Sequence, residues 1–283
     1  MTGSPRVSVV VIVRDGERFL AEALESVRAQ SFDDWEVLVV DDGSRDGSRE
    51  VVARFVEREP GRFRLLRHEG GENRGMSASR NLGIAHARGE FVTFLDHDDC
   101  MLPAKLASQA SLLDRYPEAN AVIGPNLRWH AWSGSRPDTV QDLGIELDRL
   151  HPPPGLLPVY LARTSATPQS PLVRRAALDA IGGFEDEFRD MYEDQVFFAK
   201  LFLEGPVYIS GEVQHRYRQH EESCVHQAHR SGRHLAARRR YLDWLSRRIE
   251  RVPAHRAALA SAIRRERLRL WWAGIRLRLR LRK

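Results

Sequence analysis

Apolar positions run in two alternating rhythms through the first hundred residues. VSVVVIV (Val7–Val13) is an almost unbroken β-branched run, the pattern of a strand covered on both faces. Phe19, Leu20, Ala23, Leu24 and Val27 then recur at helical spacing, which predicts a helix over residues 19–30. The rhythm repeats as strand 35–40, helix 48–56, short strand 63–66, helix 75–87 and strand 91–95. Short loops join these segments, so the pattern predicts an α/β fold with a doubly wound, mostly parallel sheet flanked by helices.

In such sheets ligands bind beyond the carboxyl ends of the strands. Asp41 and Asp42 close the second strand, and Asp96, Asp98 and Asp99 follow the fourth, so the two acidic groups are expected to be neighbours in space. Further along, residues 105–116 read as a helix opened by Pro103, and residues 121–124 as a strand. Residues 137–158, with HPPPG inside, read as a long irregular loop facing the crevice, a lid or substrate wall. PLVRRAALDAIGGF gives a strand end, a helix and a glycine stop. YEDQVFFAKLFLEG gives an apolar helix with acids in its first turn, ended at Gly205. Beyond His226 the chain reads as helical and basic, which divides it into an α/β domain over 1–226 and an extension over 227–283. No internal repeat is seen.

Composition adds little: 42% hydrophobic and 29% charged over 283 residues is ordinary for a soluble globular chain with a real core. Cys100 and Cys224 make no disulfide framework and lack metal-site spacing, so a reducing compartment is expected. The polar start reads as no signal peptide, and no apolar run is long enough to span a bilayer. Charge changes the picture more. The extension holds 18 Lys+Arg against 3 Asp+Glu, and the rest of the chain 26 against 36. An acidic body with a strongly basic tail seeks an anionic partner, whether membrane surface, nucleic acid or acidic protein. No nucleic-acid-binding motif accompanies the charge, so nucleic acid is not expected. In RLRLWWAGIRLRLRLRK, Leu268, Trp271, Trp272, Ile275 and Leu279 fall on one helical stripe flanked by arginines. That suits an anionic membrane interface, or equally a helix packed on its own domain or a partner.

Crowded carboxylates at a strand end are costly unless something neutralises them. Asp96, Asp98 and Asp99 make sense as half of a Mg²⁺ or Mn²⁺ site completed by a bound diphosphate; the alternative is a solvated acidic turn capping the next helix. In DDGSRDGS, Gly43 and Gly47 allow tight turns, and Asp46 or Ser48 can cap the following helix. Glu193 and Asp194 can serve simply as acids at a helix N-terminus. Arg218 and His220 can be surface residues, and the histidines from His215 to His234 lack a tight zinc pattern.

Taken together, VSVVVIV, WEVLVVDDGSRDGS and NRGMSASRNLGIAHARGEFVTFLDHDD, followed in order by VRRAALDAIGGFEDEF, YEDQVFFAKL and YRQH, closely resemble the family 2 glycosyltransferases across roughly residues 7–220. The resemblance implies a GT-A fold, a nucleotide-sugar donor with UDP as the family-level expectation, a divalent metal (Mn²⁺ or Mg²⁺) and inversion at the anomeric carbon. Carried over by position, it implies that Asp42 binds the nucleobase with Asp41 beside it and that Arg80 lies near base and diphosphate. It implies that Asp96 faces the ribose, Asp98 ligates the metal, and Asp194 is the catalytic base. Arg218 would close over the diphosphate, and His220 would be a further metal ligand. Ile12, at the end of the first strand, and His97, in the acidic turn, complete the donor-binding set.

Two departures stand out. An aromatic and an Asn often follow the family's first strand, where this chain has Arg14 and Asp15; Arg14 is then the candidate to stack on the base. The Gln-x-x-Arg-Trp signature of processive synthases is missing, so one sugar per encounter is expected, in cell-surface polysaccharide or glycolipid assembly. The acceptor, a carbohydrate or a lipid-linked one, would meet residues 125–169. The expected location is the cytoplasm, peripheral on the inner face of the plasma membrane. Two other readings stay open: a metal-dependent phosphatase, which wants a nucleophilic Asp at the first strand, and a non-catalytic nucleotide-sugar binder.

Overall fold

The computed structural model describes residues 4–163, 171–189, 191–220 and 234–280, without the side chains of 276–280. Cys224, His226, the boundary at 226/227, residues 164–169 of the acceptor stretch and the side chain of Leu279 lie outside the described residues. In chain order the elements are β1 (Val7–Val13), α1 (Glu17–Arg28), β2 (Trp35–Asp41), α2 (Ser48–Arg58), β3 (Phe63–Arg67), α3 (Met76–His86) and β4 (Phe91–Asp96). Then come β5 (Cys100–Met101), α4 (Lys105–Arg115), β6 (Ala121–Ile123), β7 (Asn126–Trp129), β8 (Thr139–Val140), β9 (Arg149–His151) and α5 (Leu156–Ala162). The chain continues through β10 (Leu172–Arg174), α6 (Arg175–Ile181), α7 (Glu193–Glu204), β11 (Val207–Ile209), β12 (His215–Arg218), α8 (His234–Ile249) and α9 (Pro253–Arg280).

The main sheet has the order β3-β2-β1-β4-β10-β6-β11-β9. Strands β1 to β4 are parallel, β10 runs antiparallel to both β4 and β6, and β9 runs antiparallel to β11. The sheet is therefore mostly parallel, as the buried β-branched runs predict. Every residue of β1 and β2 is buried. Their side chains alternate between two cores. Val7, Val9, Val11 and Val13 pack with α1, α2 and α4 on one face, whereas Val10 and Ile12 pack with α6, α7 and the C-terminal helices on the other.

Three features depart from the sequence expectation. A second sheet, β5-β12-β7-β8, stands beyond the C-terminal end of β4. Its strands are two to four residues long, too short for an apolar period to show. The irregular loop expected over 137–158 contains β8 and β9, which edge the two sheets through backbone ladders. And the basic extension shares the core. Tyr241, Leu242, Trp244, Leu245 and Ile249 of α8, with Leu259, Ala262 and Ile263 of α9, are buried in the cluster that holds Phe197 and Phe202 of α7. Large side chains of this kind contribute about 1.5–3 kcal/mol each when fully buried.

Candidate functional site

The acids expected at the strand ends are there. β1 lies between β2 and β4, with Ile12 in register with both Val40 and Asp96. Asp41, Asp42 and Asp96 thus end neighbouring parallel strands on one edge of the sheet.

The turn after β4 shows how three carboxylates are tolerated together, because each meets a partner from a different element. Asp96 Oδ1 accepts from Arg80 Nη2 of α3 at 2.8 Å. Asp98 Oδ2 lies 2.9 Å from His220 Nε2, just past β12. Asp99, fully buried, lies 2.9 Å from His215 Nε2 and accepts the Arg218 backbone N–H at 2.9 Å. Protein groups already offset much of the repulsion, so no cation is needed merely to hold the turn. Burial, with the charges of Asp98 and Asp96, pushes the Asp99 carboxyl well up, and burial takes the His215 imidazole down to about 3. His215 is therefore neutral and Asp99 acts as a clamp on β12. Asp98 differs: burial opposes its charge, but the His220 hydrogen bond and the nearby His97 and His220 outweigh it and lower its pKa. It stays an anion.

His97 packs against the start of α1, where a Cβ on Gly16 would meet its Cδ2 at 2.3 Å. The DDGSRDGS loop is tied to the same helix start. Asp46 Oδ2 accepts the Glu17 N–H, Glu17 Oε2 accepts the Gly47 N–H, and Ser48 Oγ accepts the Gly16 N–H, each at 2.9 Å. Asp46 and Ser48 thus serve α1 as well as α2. Asp42 accepts from Asn73 Nδ2 and the backbone N–H groups of Arg74 and Gly75, and so pins the loop before α3. Asp41 is 1% exposed, with Arg49 and Arg67 nitrogens 3.9 and 3.7 Å from Oδ2. Ile12 is a core residue. Arg14 points outward, 59% exposed, with Asp15 3.8 Å away.

α7 brings the remaining acids to this edge. Tyr192 takes a left-handed conformation (φ 69°) immediately before it. Glu193 lies 3.4 Å from Arg80 Nη1, so one guanidinium joins β4 to the start of α7. Burial, then the charge of Asp194, raises Glu193 to about 7. Asp194 is also raised by burial, although the Gln195 N–H donates to its Oδ1 at 2.6 Å. The helix-terminus role open in the sequence is thus present, for one oxygen. Asp194 shares a cavity with Arg80, Asp96, Phe94, Pro171, Phe184 and His215.

The surroundings of Arg218 differ from those expected. Its guanidinium, 3% exposed, donates to the Asp98 carbonyl and to Glu22 at 2.6 Å each. The rings of Trp129 and Phe19 lie 4.2 and 4.6 Å away. In this conformation it props the acidic turn through the Asp98 carbonyl. Sequence reasoning also passed over Tyr217, whose phenol is raised by burial and then by Asp99, Asp98, Asp96 and Asp194 around it. Recognising HRYR as a strand would have singled it out, next to Arg218.

Asp98 and His220 are the residues that could hold a divalent cation. Asp98 offers an anionic oxygen and His220 an imidazole whose Nδ1 is buried without a partner. Among the described residues no three His, Cys, Asp or Glu side chains converge as a metal cage. Two protein donors fit an ion that takes its remaining ligands from phosphate and water, the habit of Mg²⁺ and Mn²⁺.

Comparison with known proteins agrees with this architecture. Residues 8–142 match the model of Glycosyl transferase family 2. EpsE of Bacillus subtilis (strain 168), a glycosyltransferase by name, is 32% identical over 122 residues, 43% of each chain. EpsH of the same organism, likewise named, is 39% identical over 100 residues, 35% of this chain and 28% of its own. The chain spans less than half the length of these relatives. Among solved structures, S. aureus TarS 1–349 in complex with UDP-GlcNAc superposes with a TM-score of 0.63 at 24% identity, over 78% of this chain and 60% of that one. The mannosyltransferase PcManGT of Pyrobaculum calidifontis, in complex with GDP-Man and Mn²⁺, gives 0.52 at 23% identity, over 75% and 56%. The fold is mixed α/β of the GT-A kind, similar to TarS. With that fold and the ordered motifs, the match over residues 8–142 makes this part of the chain similar to glycosyl transferase family 2.

Proposed function

We propose that the protein moves one sugar from a nucleoside-diphosphate sugar to an acceptor hydroxyl, with inversion at the anomeric carbon. The observation that carries this is the Arg80 bridge. One buried guanidinium holds Asp96 at the end of β4 and Glu193 at the start of α7, so Asp194 lines one crevice with Asp96 and Asp99.

Asp42, just past the end of β2, accepts an imide N–H of a nucleobase. Asp96 faces a ribose. Asp98 and His220 hold a divalent cation against the diphosphate; when bound, that cation takes up charge as the nucleoside diphosphate leaves. Asp194, in its carboxylate form, takes the acceptor proton while the acceptor oxygen bonds to C1 and the C1–O bond to the diphosphate breaks. Arg218 acts through the backbone of Asp98. UDP is the preferred nucleotide, supported by the UDP-GlcNAc bound to the similarly folded TarS. A carbohydrate or lipid-linked acceptor in surface polysaccharide or glycolipid assembly suits the family, with domain limits of 1–226 and 227–283. The phosphatase reading is disfavoured because the Asp-x-Asp pair of Asp96 and Asp98 follows β4 and not β1.

Calorimetry with UDP, with and without Mn²⁺, and turnover of Asp194→Asn test the proposal. Metal-dependent UDP binding retained in a variant that has lost about 10²–10⁴-fold in kcat supports it. Unchanged turnover in Asp194→Asn removes the base, and UDP binding without turnover in the wild type leaves a binder.

A further inference from the structure

Helix α9 carries apolar residues on two opposite sides. Leu259, Ala262, Ile263 and the Glu266 side chain are buried, and Leu270 packs against the same core. At 100° per residue, Leu268, Trp271 and Trp272 lie ~180° away on the wheel. They are 59, 56 and 56% exposed. The other exposed large hydrophobics among the described residues are Val140 and Leu147, so most of the outward apolar surface gathers on this one face. The two indoles meet edge to face, 4.9 Å apart.

The face is framed in positive charge. Arg264, Arg265, Arg267 and Arg269 are all exposed. Arg267 pairs with Asp243 and Arg269 with Glu266, whereas Arg264 and Arg265 belong to none of the ion pairs among the described residues. No described helix is long and apolar enough to cross a membrane. Paired indoles with arginines on either side match the chemistry of a bilayer interface, where rings sit at the headgroups and guanidiniums meet anionic lipid. A second copy of this chain would set two strongly basic extensions against each other, 18 Lys+Arg to 3 Asp+Glu on each.

We propose that the Leu268–Trp271–Trp272 face of α9 lies on an anionic lipid surface while its opposite face stays locked to the α/β core. The proposal does not depend on the transfer reaction, and its test needs no turnover. The full chain is sedimented with vesicles of phosphatidylglycerol or of phosphatidylcholine, beside Trp271→Ser/Trp272→Ser, whose changes lie outside the core. Binding to the anionic vesicles that weakens with salt, is roughly tenfold or more weaker for the double variant and is weak on phosphatidylcholine is the expected result. Absent binding, equal binding to both lipids, or undiminished binding by the double variant overturns it. So does a wild-type dimer in analytical ultracentrifugation that the double variant abolishes, which would assign the face to a second copy.

Discussion

Arg80 Nη2 donates to Asp96 Oδ1 at 2.8 Å from a position 9% exposed, while Nη1 faces Glu193 across 3.4 Å. Removing the guanidinium leaves carboxylates facing one another in a buried place. Arg80→Met is expected to lose about 3–5 kcal/mol of stability in urea titrations, in line with breaking a buried charge pair. Arg80→Lys keeps charge without the two-pronged reach and should fall between. Equal stability of wild type and Arg80→Met would contradict the bridge.

The Glu193 carboxyl ionises at about 7 in the folded chain, against an ordinary value of 4.5. The folded state therefore keeps a proton that the unfolded chain releases between those values. Its contribution is full below about 4.5 and is lost as pH rises through 7, by at most roughly 3 kcal/mol. Urea midpoints of wild type and Glu193→Gln should diverge across that window, with the variant gaining relative stability towards neutral pH. A difference independent of pH would reject the assignment.

If Asp98 and His220 hold the cation, chelation should weaken UDP binding by about tenfold or more, and added Mn²⁺ should restore it. His220→Ala should bind UDP weakly whether or not Mn²⁺ is present. A His220→Ala protein with a full Mn²⁺ response would exclude that ligand.

The basic extension reaches the proposed base through Arg238. This buried guanidinium lies 3.3 Å from Gln195 Oε1 and 3.1 Å from Glu266 Oε2, and close to the rings of Tyr192 and Tyr241. It is a positioning group for the start of α7. Arg238→Met is expected to lower kcat by about tenfold while UDP affinity stays within about twofold, with Glu266 left uncompensated at a stability cost of about 3 kcal/mol. Equal losses in kcat and in UDP affinity would point to general loosening instead.

Strands β1, β2 and β4 were legible because each is a buried apolar run, and the acids at their ends followed from chain direction alone. The second sheet was not, since His215, Tyr217 and their neighbours form a strand only through contacts made far away in sequence. Asp194 was legible by motif, yet its bond to the Gln195 N–H is the bland reading of the same residue. Arg218 was chosen by its place in the YRQH motif, and its burial among Phe19, Trp129 and Trp132 depends on aromatic residues far from it in sequence. The interior half of the basic tail was obscured by its arginines, which crowd Leu242, Leu245 and Ile263 in sequence while pointing elsewhere in space.

The clamp between Asp99 and His215 spans 116 positions of chain. During synthesis the acidic turn emerges first and remains without His215, Arg218 and His220 until more than a hundred further residues have followed. Contacts of such long sequence separation form slowly. The nascent protein must therefore tolerate an interval in which its main sheet is begun but its mouth is electrostatically unfinished, until β12 and the residues just past it arrive.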